Sequence, residues 1–276
     1  GKLMAPRFIK GQTYRFVTTT GVFMQIPGMG NREIRIEQQA RLEASARPQG
    51  KPGTQIRGLT EKLTVAIRSG KKMVSYDSLK PGDRETTLGK HFQSGISRWV
   101  IMQLDPNLRI VEFEEGGSAG PATPLPGMPQ YGPEELKQLV ATIPQGFAPD
   151  PVAPGDEWVL KGVKEVSQAG ELNFDLTYRY LGPIEYEGHQ TAKIQFSGTM
   201  SGEAGSSSFQ GTTVVGEMLF DPEAKMIRYM EQTISMSLER PVPGRPGEVI
   251  SIPMNQKVSS RLLHIVPTKV DDSDGE

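Results

Sequence analysis

Sustained alternation of apolar and polar residues constrains this chain more than any other feature. Between residues 33 and 46, Ile34, Ile36, Ala40, Leu42, Ala44 and Ala46 share one side of an extended backbone, and Arg35, Glu37, Gln39, Arg41, Glu43 and Ser45 share the other. Leu172, Phe174, Leu176, Tyr178 and Tyr180 alternate in the same way with Asn173, Asp175, Thr177 and Arg179. Successive side chains of a strand point to opposite faces, so a period of two belongs to a sheet with one packed face and one wet face.

The pattern comes in two related stretches. The first opens at Gly11-Gln12-Thr13-Tyr14 and closes in a hairpin turned by Asp105-Pro106. The second opens at Gly155-Asp156-Glu157-Trp158 and closes in a hairpin turned by Asp221-Pro222. In each, a Gly is followed three residues later by an aromatic. A large curved antiparallel sheet assembled from two related halves is the expected architecture.

Within this frame, residues 14–26 predict an opening strand and Pro27 to Asn31 a turn, since Gly and Asn tolerate positive φ. Pro48 to Gly53 read as a loop, and residues 63–67 and 73–76 as a hairpin around Gly70. Leu88, Phe92, Ile96 and Trp99 recur at helical spacing, which predicts a short helix around 85–95. Strands at 98–104 and 108–114 follow. Nine of the 22 prolines lie between Pro121 and Pro154, so strand pairing is not expected there. Inside that segment Pro133-Glu134-Glu135 marks a helix start, with Leu136, Leu139, Val140 and Ile143 as its apolar face. In the second half, Gly182-Pro183 should end a strand and Glu187-Gly188 should turn the next hairpin. Residues 201–208 read as a Gly/Ser loop, and 248–254 and 257–266 as a last pair of strands. The expected divisions are 1–114, a linker over 115–154, 155–270, and a disordered acidic tail at 271–276.

Charge and composition remove several function classes. The 31 Lys+Arg and 32 Asp+Glu residues alternate along the strands instead of forming blocks, so no nucleic-acid partner is expected. No run approaches the ~18 apolar residues of a spanning helix. The absence of cysteine removes disulfides and thiolate metal sites, and fits an extracytoplasmic home in the periplasm or at the cell surface. Residue 1 is Gly instead of Met, which reads as a mature or trimmed form, with a lipid anchor on the precursor as part of that expectation.

The search for chemistry yields little. Gly116-Gly117-Ser118-Ala119-Gly120 matches the nucleophile-elbow string, but the prolines that follow cannot begin the helix that motif needs. His91, His189 and His264 have no metal-ligand spacing. Glu112, Glu114 and Glu115 cluster at a strand end, and Asp156-Glu157 lie in a turn. Gly28-Met29-Gly30 lacks the later glycine and the strand–helix context of a dinucleotide loop. No cofactor, no metal and no enzymatic activity are expected. The alternatives are a hydrolase using carboxylates with His189 or His264 in a cleft, and a structural scaffold without a small-molecule ligand.

One positive signal remains. Met24, Met200, Met218, Met230 and Met236 fall within strands, and thioethers make adaptable apolar surfaces. Phe174, Leu176, Tyr178, Tyr180, Ile194, Phe196, Met230 and Met236 are the candidate residues lining an apolar ligand. An ordinary packed core is the commoner use of such residues.

The run from Ile143 through Gly155-Asp156-Glu157-Trp158, in which a proline segment leads to a strand start, resembles a group of bacterial secreted proteins and lipoproteins without assigned activity. The turn and strand at Tyr186 to Ile194 resemble their next feature. The resemblance implies the half-barrel of lipoprotein carriers, a curved antiparallel sheet wrapping helices and, in some members, lipid. The combined expectation is a mainly β, non-enzymatic envelope or secreted protein that binds a lipid, another apolar ligand or a protein partner through its sheet.

Overall fold

In the computed structural model, residues 1–116, 131–166, 170–204 and 207–269 are described. The strands are β1 (Gln12–Ile26), β2 (Gly30–Ala46), β3 (Thr54–Ser69), β4 (Lys72–Asp77), β5 (Val100–Leu104), β6 (Ile110–Glu115), β7 (Glu157–Val166), β8 (Gly170–Tyr186), β9 (His189–Ala204), β10 (Ser207–Asp221), β11 (Met226–Pro241) and β12 (Val249–Pro267). They form one open antiparallel sheet of 12 strands in the order β6-β5-β3-β2-β1-β12-β11-β10-β9-β8-β7. The mainly β class is therefore as the alternation predicts.

β3 is long enough to take two neighbours on one edge. Residues 64–69 pair with β4 and residues 54–58 with β5. Setting β4 aside, the chain runs through β1-β2-β3-β5-β6 and then β7-β8-β9-β10-β11, and each Asp-Pro turn joins the fourth and fifth strands of its run. β12 pairs with β11 on one side and β1 on the other, making the sheet continuous. The turns are built alike. Asp105 Oδ1 accepts hydrogen bonds from the Asn107 and Arg109 amides, and Asp221 Oδ1 accepts from those of Glu223 and Ala224. Such side-chain to backbone bonds are what make Asp a turn former.

The packed face carries both helices, α1 (Thr87–Phe92) and α2 (Pro133–Thr142). Leu88 and Phe92 of α1 pack with Ile34, Ile36, Leu63 and Val65. Leu136 and Val140 of α2, with Ile143, pack on Tyr14, Phe16, Leu42 and Ile56. The alternation in β2 is realised with two exceptions. Ala46 is exposed, and Gln38, buried on the packed face, donates to Thr60 Oγ1 at 2.8 Å and accepts from Tyr131 Oη.

Several boundaries differ from expectation. The helix read over 85–95 is a 3-10 turn at Pro81–Glu85, the short α1, which contains Gly89, and a second 3-10 turn at Gln93–Gly95. Gly182-Pro183 does not end a strand. β8 continues to Tyr186 through a register shift between Tyr180 and Gly182, where Gly182 takes φ +114. β7 pairs only with Gly170 to Arg179, so Pro183 sits where β8 has a single neighbour and the missing N–H leaves no ladder bond unmade. The two strands read over 248–254 and 257–266 are likewise one, β12 (Val249–Pro267). Pro253 pairs with Ser237 of β11, and pairing with β1 begins only at Met254. The Gly/Ser loop at 201–208 shrinks, since β9 runs to Ala204 and β10 starts at Ser207. The acidic tail lies outside the described residues.

α2 couples packing to pH. The Glu135 carboxylate caps the helix by accepting from the Gly132 amide at 2.7 Å. Burial pushes its pKa up to about 7, against the pull of hydrogen bonds from the Gly132 amide and its own. A carboxyl whose folded pKa is raised favours folding fully below its unfolded pKa and loses that advantage as pH climbs to the folded value. Stability should therefore fall between about pH 4.5 and 7. Urea midpoints across this range should decline in the parent, and the Glu135→Gln variant should show a flatter profile.

Candidate ligand-binding face

The sheet register aligns side chains of the packed face in rows across the strands. One row reads Tyr180–Ile194–Met218–Met230–Ser260–Thr18–Gln38 and the next Tyr178–Phe196–Gly216–Gln232–Val258–Thr20–Ile36. A third reads Leu176–Gly198–Val214–Ile234–Gln256–Val22–Ile34. In the fourth, Phe174 stands opposite Met200 and Met200 opposite Thr212, and beyond a bulge Met236, Met254 and Met24 stand opposite one another.

The upper rows of the second half are sealed. Gly146, Phe147 and Ala148 lie over them, with Met4 and Val152 in the same core. Gly146 takes φ +86, and a Cβ there would come 2.6 Å from the Tyr178 ring, so only glycine lets the backbone approach this closely. Trp158 Nε1 donates to the Gly146 carbonyl at 3.2 Å, and Phe147 meets Phe220 edge-on at 5.2 Å. Trp158, Tyr178 and Phe196 stack in series at 5.8 and 5.1 Å. Burial pushes the Tyr178 phenol up to about 12. The N-terminal segment is tied to this cover by paired backbone hydrogen bonds between Lys2 and Val152.

The lower row differs. Met200 and Thr212 are buried, but Phe174, Met236, Met254 and Met24 are only half-buried, as are Leu238 and Ile252 on the same face. This half-covered strip runs along β11, β12 and β1, between the core around Phe196 and the one under α1.

The eight residues expected to line a ligand all belong to the packed face. Leu176, Tyr178, Tyr180, Ile194 and Phe196 are buried core residues, whereas Phe174, Met230 and Met236 are half-buried against that core, and of these Met236 lies in the half-covered strip. Sequence reasoning missed Met254 because the strand was divided there. It also missed the cover at Gly146 and Phe147, whose contacts lie on distant strands.

The residues weighed for catalysis are placed elsewhere. His91 is buried edge-on to Phe92 at 4.7 Å. His189 Nδ1 is 3.9 Å from Asp221 Oδ2, which the Arg228 guanidinium occupies at 2.6 Å. His264 Nε2 lies 3.2 Å from Arg15 Nη1. Glu112 and Glu115 pair with Arg47 and Arg98 respectively. Of the nucleophile-elbow string, only Gly116 is among the described residues.

These elements define an open, mainly β sheet protein with its short helices on one face. No protein-family model and no curated protein sequence matches the chain. Among solved structures it is similar to lipovitellin, from work on lipid–protein interactions, with a TM-score of 0.54 at 9% identity. That match covers 98% of this chain but 27% of the lipovitellin chain, and it is a likeness of fold. Weaker matches are Pseudomonas aeruginosa OpdQ, with a TM-score of 0.22 at 8% identity over 95% of this chain and 100% of that one, and an outer membrane lipoprotein-sorting domain from Vibrio parahaemolyticus, with 0.17 at 8% identity over 94% and 88%. Both scores are too low to assert a shared fold.

Proposed function

We propose that this chain is a non-enzymatic, extracytoplasmic binding protein, two related meanders in one sheet, that holds a lipid or other apolar ligand on the half-covered part of its packed face. The observation carrying this reading is the half-buried row Met236, Met254 and Met24, flanked by sealed cores. Flexible thioethers adapt to varied apolar shapes, and water contact leaves this strip a gain to make on covering it. Lipovitellin, which shares the fold at low identity, was solved in the context of lipid–protein interactions. The lack of cysteine and the Thr/Ser-rich wet face support the location.

Native mass spectrometry after detergent-free purification should find adducts of lipid mass, removable by collisional activation. A single apo species that also fails to take up an added apolar probe would reject the reading. A second reading, an assembly scaffold, draws on the edge strand β7, where Val159 and Val163 are 52% and 59% exposed. It predicts oligomers by light scattering and no probe uptake.

A further inference from the structure

We infer that the ligand is an uncharged amphiphile whose polar end carries hydroxyl, ester or amide groups, held by a polar strip on β1, β11 and β12 while its tail follows the methionine row. This rests on the apolar-ligand reading and extends it. In the three rows above the methionines, the apolar face is interrupted by Thr18 and Thr20 of β1, Gln232 of β11, and Gln256 and Ser260 of β12, with Thr18 and Ser260 directly opposite one another. None of these three rows contains an Asp, Glu, Lys, Arg or His on the packed face.

A core that needed only sealing would place aliphatic side chains there, because each polar group buried without a partner costs roughly 1–3 kcal/mol. Of these five, Thr18 carries a hydroxyl shut away from solvent with no hydrogen-bond partner, whereas Thr20, Gln232 and Gln256 are half-buried. Thr212 repeats the situation beside Met200. It is 1% exposed, and its hydroxyl is buried and unpaired. Uncharged donors and acceptors of both kinds suit a hydroxyl, ester or amide, whereas a carboxylate or phosphate would be desolvated here with no cation in the strip.

The geometry fits one molecule. Gln256 and Met254 are two positions apart on β12 and share a face, so a polar end at Gln256 leaves a tail at the methionine row. The half-covered part of that row, from Met24 on β1 to Met236 on β11, crosses two strand spacings, about 10 Å, and Leu238 and Ile252 extend the apolar surface along the strands.

The test is competition against bound 1,6-diphenylhexatriene, an uncharged hydrocarbon probe. Monooleoylglycerol should displace it at about tenfold lower concentration than oleate at pH 8. In the Thr18→Val/Gln256→Leu variant that advantage should shrink to threefold or less, with binding of the hydrocarbon probe unchanged. Gln232→Leu provides the same reading if the double variant fails to fold. Equal or better displacement by oleate, for instance through Arg32 beside Met24, would overturn the inference, as would variants that keep the full advantage. In either case the apolar site would stand, whereas failure of the hydrocarbon probe to bind would remove both.

Discussion

Replacing Met254 with glutamate should weaken binding of an apolar probe on the order of 100-fold, equivalent to about 2.7 kcal/mol. Met254 is the middle of the half-covered row, in register with Met236 on one side and Met24 on the other. A carboxylate there is tolerable while water reaches it, so the fold should survive. Once a ligand covers the row, that charge must be desolvated without a partner, which costs several kcal/mol or forces protonation. Met254→Leu keeps the apolar surface and should bind within about threefold of the parent, since volume-conserving apolar swaps are well tolerated. Probe titrations of the three proteins, with circular dichroism and urea midpoints as folding controls, give the comparison. Equal affinity in the glutamate variant would place the ligand elsewhere.

Asp221→Ala should cost about 3–5 kcal/mol of stability, the range for removing one member of a buried ion pair. Asp221 is 2% exposed, accepts from the amides of Glu223 and Ala224, and accepts from Arg228 Nε at 2.6 Å. Without it two turn amides and a guanidinium lose their acceptor, at the point where β10 turns into β11 beneath the N-terminal segment. Arg7 donates its amide to the Lys225 carbonyl in this same turn, so loosening should spread to Met4 and Phe8. Burial alone would raise the Asp221 pKa, but the Ala224 amide, the Arg228 guanidinium and the Glu223 amide together hold it below the usual carboxylate range. A depressed folded pKa contributes stability above the unfolded value of about 3.9, lost as pH falls through the folded one. Urea unfolding at pH 7 should show the loss. A descent from pH 5 to 2 should show a smaller acid-induced decline in the variant than in the parent.

What the chain discloses by itself follows from how local each cause is. The run Leu172 to Tyr180 displays its packed face because strand geometry alone puts alternate residues together. Pro133 with Glu134 and Glu135 announces the start of α2 because a helix N-terminus satisfies itself within one turn. The two Asp-Pro hairpins are legible because Asp hydrogen-bonds within its own turn. Pro183 misled for the opposite reason. Whether a proline interrupts a strand depends on how many neighbours that strand has at that residue, and those neighbours are remote in sequence. Gln38 is a polar residue at an apolar position of β2, and its partners Thr60 and Tyr131, 22 and 93 residues away, make it a satisfied core residue. The methionine row was half visible. Met24, Met200 and Met236 could be assigned to strands, but alignment with Met254 needs the β1–β12–β11 register, which no local pattern encodes.

The half-covered row is tested most directly by methionine methyl NMR on protein carrying carbon-13 methyl labels, titrated with diphenylhexatriene. The methyl signals of Met24, Met236 and Met254 should move together along one saturable curve, while those of the sealed Met102 and Met226 stay in place. Saturable binding that leaves all three of those row signals unmoved would contradict the account.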